Sequence, residues 1–147
     1  MKPHIIFKTQ VFPTVSETFV TNSIVEAIKN GCQATIIPTK IAAVSTSSQA
    51  ALIAKFDLMN LVSSYQVSKV KAKRWFIAGV YLLHPTLLTY FIKYCRQQQK
   101  VTLDYLFQLK FYLKFRKARA FHIHFGTLLT PQFRQLVTLG YIHSKII

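Results

Sequence analysis

The sequence predicts an α/β fold on a mostly parallel sheet, and three observations carry that reading. Residues 4–7 form a short apolar run, a helix-forming stretch follows at once, and residues 34–37 form a second apolar run, which makes a strand-helix-strand unit of ordinary length. Much later, residues 120–123 repeat the strand signal, Thr130-Pro131 opens another helix, and Lys145-Ile146-Ile147 begins a further strand. Finally, 147 residues with 51% hydrophobic and 14% aromatic side chains suffice for one core and are short for two, so a single domain over 1–147 is expected and the composition argues against intrinsic disorder.

Each element has its own local reason. The stretch 10–14 with Pro13 reads as the loop that ends the first strand. Thr14 and Glu17 have capping-box spacing, with Ser16 as the competing cap, and Val20, Ile24, Ala27 and Ile28 share one helical face until Gly31 closes the last turn. Pro38 is expected to stop the second strand. The signal weakens over 40–66, where a Ser/Thr/Ala-rich link at 45–48 precedes a helical stretch at 49–56. Residues 67–98 and 102–117 are strongly helix-forming, with breaks at Pro85 and around Gln97-Gln98-Gln99. The helix opened by Thr130-Pro131 should run from Pro131 to about Leu139 and end at Gly140. A chain that stops inside an apolar strand suggests a fragment of a longer protein or a truncated reading frame.

The charge is lopsided, with 19 Lys and Arg against 4 Asp and Glu, a net +15 that attracts phosphates or anionic lipid. Lys69 to Arg119 alone holds twelve basic residues and one acid, Asp104. Cys32 and Cys95 lack metal-ligand spacing, which argues against zinc and against a disulfide framework and fits a reducing cytoplasm. The first ten residues include Lys8 and hold no secretory signal. Residues 75–92 are mostly apolar behind a basic flank, but His84-Pro85 divides them, so a pair of core or interfacial helices is expected in place of a membrane span.

Two segments can carry chemistry. A loop leading into Ser16, Glu17 and Thr18 offers backbone N–H groups and hydroxyls at a helix N-terminus, suited to a phosphate or a sugar hydroxyl, although plain helix capping explains the same residues. At the other end, His122 and His124 alternate along a strand and share a face, with Phe125-Gly126 allowing the chain to turn. A neutral imidazole at such a strand exit can hydrogen-bond a sugar or an acceptor hydroxyl, whereas a buried His122 held by a backbone partner is the ordinary alternative. A metal pair is disfavoured, because no Cys, Asp or Glu lies nearby in sequence.

Phe12-Pro13-x-x-Ser16-Glu17-Thr18-Phe19, followed by a helix ending in Asn30-Gly31, resembles the amino-terminal signature of family 4 glycosyltransferases of bacterial polysaccharide synthesis. His122-Ile123-His124-Phe125-Gly126 resembles the His-x-His-Phe-Gly segment that the same family carries after a later strand of its first domain. The resemblance implies a Rossmann-like sheet with helices on both faces, the acceptor-side half of a GT-B enzyme that transfers a sugar with retention from a nucleotide donor to a glycan or lipid-linked acceptor. It implies His124 as the catalytic group and Ser16, Glu17, Thr18, His122 and Gly126 as substrate-binding residues, with no metal or other cofactor beyond the nucleotide-sugar substrate. The family's donor-binding second domain has no counterpart in these residues, so the chain alone is expected to be inactive.

The run 103–117 places Lys110, Lys114 and Lys117 on one stripe, with Leu106, Phe107, Leu109, Phe111 and Leu113 over much of the rest, a pattern suited to anionic membrane contact or to a solvated basic face over a core. A peripheral position on the inner face of the plasma membrane follows if the acceptor is lipid-linked. Basic residues interleaved with Tyr105, Phe107, Tyr112 and Phe115 also suit nucleic acid, but no binding-module signature accompanies them. A basic membrane- or nucleic-acid-binding module without catalysis is the competing class.

Overall fold

The computed structural model describes residues 2–13, 18–99, 101–123 and 129–147. These form an α/β protein with a four-stranded, all-parallel sheet, consistent with a Rossmann-like fold. The chain groups into two compact units, one of Met1–Ser64, Ala118–Leu129 and Ser144–Ile147, the other of Tyr65–Lys117 and Thr130–His143.

The first unit holds the sheet. Strand β1, His4–Phe12, pairs along its length with β2, Gln33–Ile41, while β3, Ala120–Ile123, pairs with β1 from Ile5 to Lys8, and β4, Lys145–Ile146, pairs with β3. Both early strands are longer than the sequence suggests. Polar Lys8, Thr9 and Gln10 end the apolar run, yet ladder hydrogen bonds to β2 carry β1 on to Phe12.

Pro38 does not stop β2, because β2 is an edge strand. The carbonyl of Ile36 points outward and accepts from the Ser63 N–H at 2.8 Å. Two residues on, the missing N–H of Pro38 faces the same outer side, so no bond to β1 is lost.

Helix α1, Thr18–Lys29, covers one sheet face through Val20, Ile24 and Val25, which pack with Phe7, Phe12, Ala34 and Ile36. Ala27 and Ile28, expected on that face, lie half-buried against the same cluster. The helix ends in a Schellman motif: the Gly31 N–H donates to Ile28 and the Cys32 N–H to Ala27, with Gly31 at φ 77°. Over 40–66 the chain forms α2, Ala50–Lys55, flanked by 3-10 turns at Val44–Thr46 and Leu58–Leu61, and Ile53 and Leu58 complete the core.

The second unit is helical: α3, Lys71–Leu82; α4, Pro85–Gln98; α5, Leu103–Tyr112; and α6, Pro131–Thr138. Pro85 and Pro131 occupy the first turns of α4 and α6, where a missing N–H costs nothing. Thr130 caps α6 by accepting from the Phe133 N–H at 3.2 Å, and Gly140 at φ 68° follows its end. Among the described residues no single helix is long and apolar enough to cross a membrane; α3 and α4 are bent by 109° to one another.

The core of this unit is aromatic. Tyr105, Leu106, Phe107, Leu109 and Tyr112 are buried, so α5 is internal over most of its circumference, and it tightens into a 3-10 turn at Leu113–Phe115 where the sequence suggested helix to 117. Tyr94 stacks on Tyr105 with ring centroids 3.6 Å apart, and the Tyr141 hydroxyl donates to the Leu109 carbonyl at 2.7 Å. Arg116 donates to the Tyr141 carbonyl and lies 4.5 Å from its ring.

Candidate functional site

In the strand order β2-β1-β3-β4, the connection from β1 runs through α1 to one side and β3 continues toward β4 on the other. The boundary between β1 and β3 is therefore the topological switch point, where open parallel sheets form a crevice outside their carboxyl ends. Being parallel neighbours, β1 and β3 have their carboxyl ends at this boundary on the same sheet end. Lys8 pairs with Ile123, and β1 extends four residues further to Phe12, about 13 Å at the usual rise per residue.

Thr18 begins α1 and is exposed. His122 is half-buried on the sheet face of Phe7, its register partner, with ring centroids 5.5 Å apart. Desolvation by burial lowers its pKa below 6.5, so the imidazole is neutral at neutral pH. Ser16, Glu17, His124 and Gly126 lie outside the described residues, and so does the separation of His124 from Glu17.

Sequence reasoning missed two residues at the switch point. Lys8 is only 8% exposed in the middle of β1, and burial lowers its pKa. Thr9 is fully buried at the first position where β1 outruns the described part of β3, and its hydroxyl has no hydrogen-bond partner among the described residues. The available signal was two polar residues interrupting an apolar run, where a parallel strand buried on both faces is usually continuous.

The helical unit holds a cleft of about 640 Å³, lined among others by Tyr65, Tyr94 and Tyr105, by Gln98, Gln108, Gln132 and Gln135, and by Thr102 and Asp104. The Arg74 guanidinium donates to the Asp104 carboxylate at 2.5 Å, and the Tyr65 hydroxyl donates to the Asp104 backbone carbonyl. Burial first, and the Asp104 charge second, push the Tyr65 pKa up to about 12. The Tyr105 hydroxyl is buried without a partner among the described residues. Amides, phenols and flat rings around one carboxylate match the hydrogen-bonding and stacking needs of a polyhydroxyl ligand. These residues come from distant segments, so no local pattern announces the cleft.

Lys110, Lys114 and Lys117 are all exposed. The Lys110 ammonium lies 5.5 Å from the Tyr81 ring, and Lys114 lies 5.3 Å from Phe111 and 4.7 Å from Phe115. Lys114 and Lys117 share a pocket of about 310 Å³ with Arg116 and His143. Leu106, Phe107 and Leu109, by contrast, are buried in the unit. His4 bonds Thr35 at 2.9 Å, and among the described residues no cluster of three His, Cys, Asp or Glu side chains has metal-binding geometry.

Compared with known proteins, the chain matches no family model, no curated protein and no solved structure.

Proposed function

We propose that the chain is the acceptor-side half of a GT-B sugar transferase of the family 4 type. It holds a glycan or lipid-linked glycan at the carboxyl ends of β1 and β3 while a nucleotide-sugar donor gives up its sugar. The observation that carries this reading is topological: the two segments that resemble family signatures leave adjacent parallel strands at the switch point of the sheet.

In this reading Thr18, with Ser16 and Glu17, meets acceptor hydroxyls from the β1 side. His124 and Gly126 approach the transferring sugar from the β3 side, and His122 supplies a neutral imidazole on the Phe7 face of the sheet. The glutamine- and tyrosine-lined cleft of the helical unit supports the same ligand class. The donor's diphosphate calls for residues beyond these, the reaction needs no further cofactor, and the protein works at the cytoplasmic face of the membrane.

Photo-cross-linking with a diazirine-bearing lipid-linked oligosaccharide tests the proposal. Labelling should concentrate in peptides spanning 9–18 and 119–129, and Glu17→Gln or His124→Ala should lower it about tenfold, a loss of about 1.4 kcal/mol in binding. Labelling confined to other segments, or indifferent to both substitutions, would overturn it. Salt-sensitive oligonucleotide binding untouched by His124→Ala would favour the non-catalytic class.

A further inference from the structure

The helical unit carries an apolar surface that its own core does not use. Trp75 is 65% exposed, Phe76 75%, Val80 50% and Leu83 82%, all on α3 or at its end, and Leu88 and Ile92 on α4 are 40% and 42% exposed. Among the described residues, six of the twelve exposed large hydrophobics thus lie on one helix pair, a concentration and not scatter. Phe76, Val80 and Leu83 follow i, i+4, i+7 spacing and form one stripe, while α3 meets its own unit through Ala78 and the half-buried Ile77 and Tyr81.

The charge around the patch selects its occupant. Lys71 and Lys73 on α3 and Lys93 and Arg96 on α4 are exposed, and neither helix holds an acidic residue. Lys110 of α5 sits over Tyr81, adding a further cation beside α3. A nucleic acid would use the cations and the aromatic rings but would leave Val80, Leu83, Leu88 and Ile92 without a partner, since aliphatic side chains do not stack on bases. An anionic bilayer uses both sets, because acyl chains take the aliphatics, the headgroup boundary suits tryptophan, and lysine stems reach past apolar surface to lipid phosphates.

Helix geometry decides how the contact is made. At 12 residues α3 is about 18 Å long, well short of the roughly 30 Å hydrocarbon core, and the 109° bend before α4 prevents the pair from continuing as one rod. We infer that the α3–α4 elbow is a membrane-docking surface. It lies in the headgroup layer of an anionic bilayer, buries Trp75, Phe76, Val80 and Leu83 below the phosphates, and sets its lysines and Arg96 upon them. The inference stands independently of the sugar-transfer reading.

Trp75 is the chain's single tryptophan, so intrinsic fluorescence reports on this surface without a label. The protein is titrated with vesicles of phosphatidylcholine alone and with vesicles containing about 30% phosphatidylglycerol, a composition that supplies the negative surface potential. The expected result is a blue shift with the anionic vesicles, reversed by salt, and affinity at least about tenfold weaker for neutral vesicles. Phe76→Ser with Leu83→Ser should abolish the shift with the far-ultraviolet circular dichroism unchanged, and Lys71→Glu with Lys73→Glu should remove the preference for anionic lipid. A folded protein whose emission does not move with anionic vesicles overturns the inference. So does a concentration-dependent blue shift without lipid, which would mean that a second copy covers the surface, or a response to oligonucleotides that exceeds the response to vesicles.

Discussion

Phe7 and Phe76 have the same side chain and opposite surroundings. Phe7, in the sheet unit, is 2% exposed between α1, β2 and His122, whereas Phe76, in the helical unit, is 75% exposed on a stripe that nothing in its own unit covers. The sheet unit buries most of its apolar residues in its own core, leaving only the scattered Phe19, Ile41 and Ile147 exposed among its described large hydrophobics. The helical unit divides them between an aromatic core around Tyr94, Tyr105 and Tyr141 and an outward surface on α3 and α4. High hydrophobic content therefore means self-packing in one part of this chain and readiness for an external partner in the other.

Paired substitutions can break that comparison. Phe7→Ala should cost about 3–5 kcal/mol of stability, the range for emptying a packed aromatic site. Phe76→Ala should stay within about 0.5 kcal/mol. Chemical denaturation of both variants checks this, and equal losses would show that α3 is covered within the folded protein.

A smaller contrast lies between two tyrosines of the helical core. Tyr141→Phe removes a hydroxyl that donates to Leu109 and strands a buried carbonyl, at a cost of about 1–2 kcal/mol. Tyr105→Phe removes a hydroxyl with no partner among the described residues and should be neutral or slightly stabilising. A loss at Tyr105 as large as that at Tyr141 would show that its hydroxyl is bonded.

The sequence legibility follows the same division. Helices α1 and α6 and strand β3 were readable because their caps, glycines and period are local: Gly31, Thr130-Pro131 and Gly140 act within a few residues. The lengths of β1 and β2 were not, because Pro38 is harmless only on an edge strand, and strand order is a tertiary fact. Across 103–117 the exposure of Lys110, Lys114 and Lys117 agrees with the sequence, but α5 ends at Tyr112, so they do not form one helical stripe, and helical period says nothing of what covers a face, so buried Leu106 and Leu109 resemble a lipid-facing set. The Tyr and Gln cleft and buried Thr9 arise from contacts between segments distant in sequence, which no local pattern announces, whereas the Ser16-Glu17-Thr18 and His122-x-His124 segments are candidates by their local pattern alone.

The weakest expected effect is on pH dependence and belongs to the sheet unit. Burial lowers the pKa values of His4 and His122 below 6.5, so the folded state binds fewer protons than the unfolded chain just below that pH. Their contribution to stability is complete above pH 6.5 and is lost as pH falls through the window beneath it. Melting temperature should decline on acidification from pH 6.5, and His122→Gln should flatten part of that slope. A profile unchanged by both His4→Gln and His122→Gln would remove the burial argument.

The functional reading rests on β1 and β3 being direct neighbours, with their exits at one sheet end. Nuclear Overhauser contacts between the backbones of Phe7 and His122, and of Lys8 and Ile123, test this most directly. Contacts in the parallel pattern are expected at both pairs. Their absence, or contacts placing residues 120–123 beside β2, would remove the switch point and with it the acceptor site proposed there.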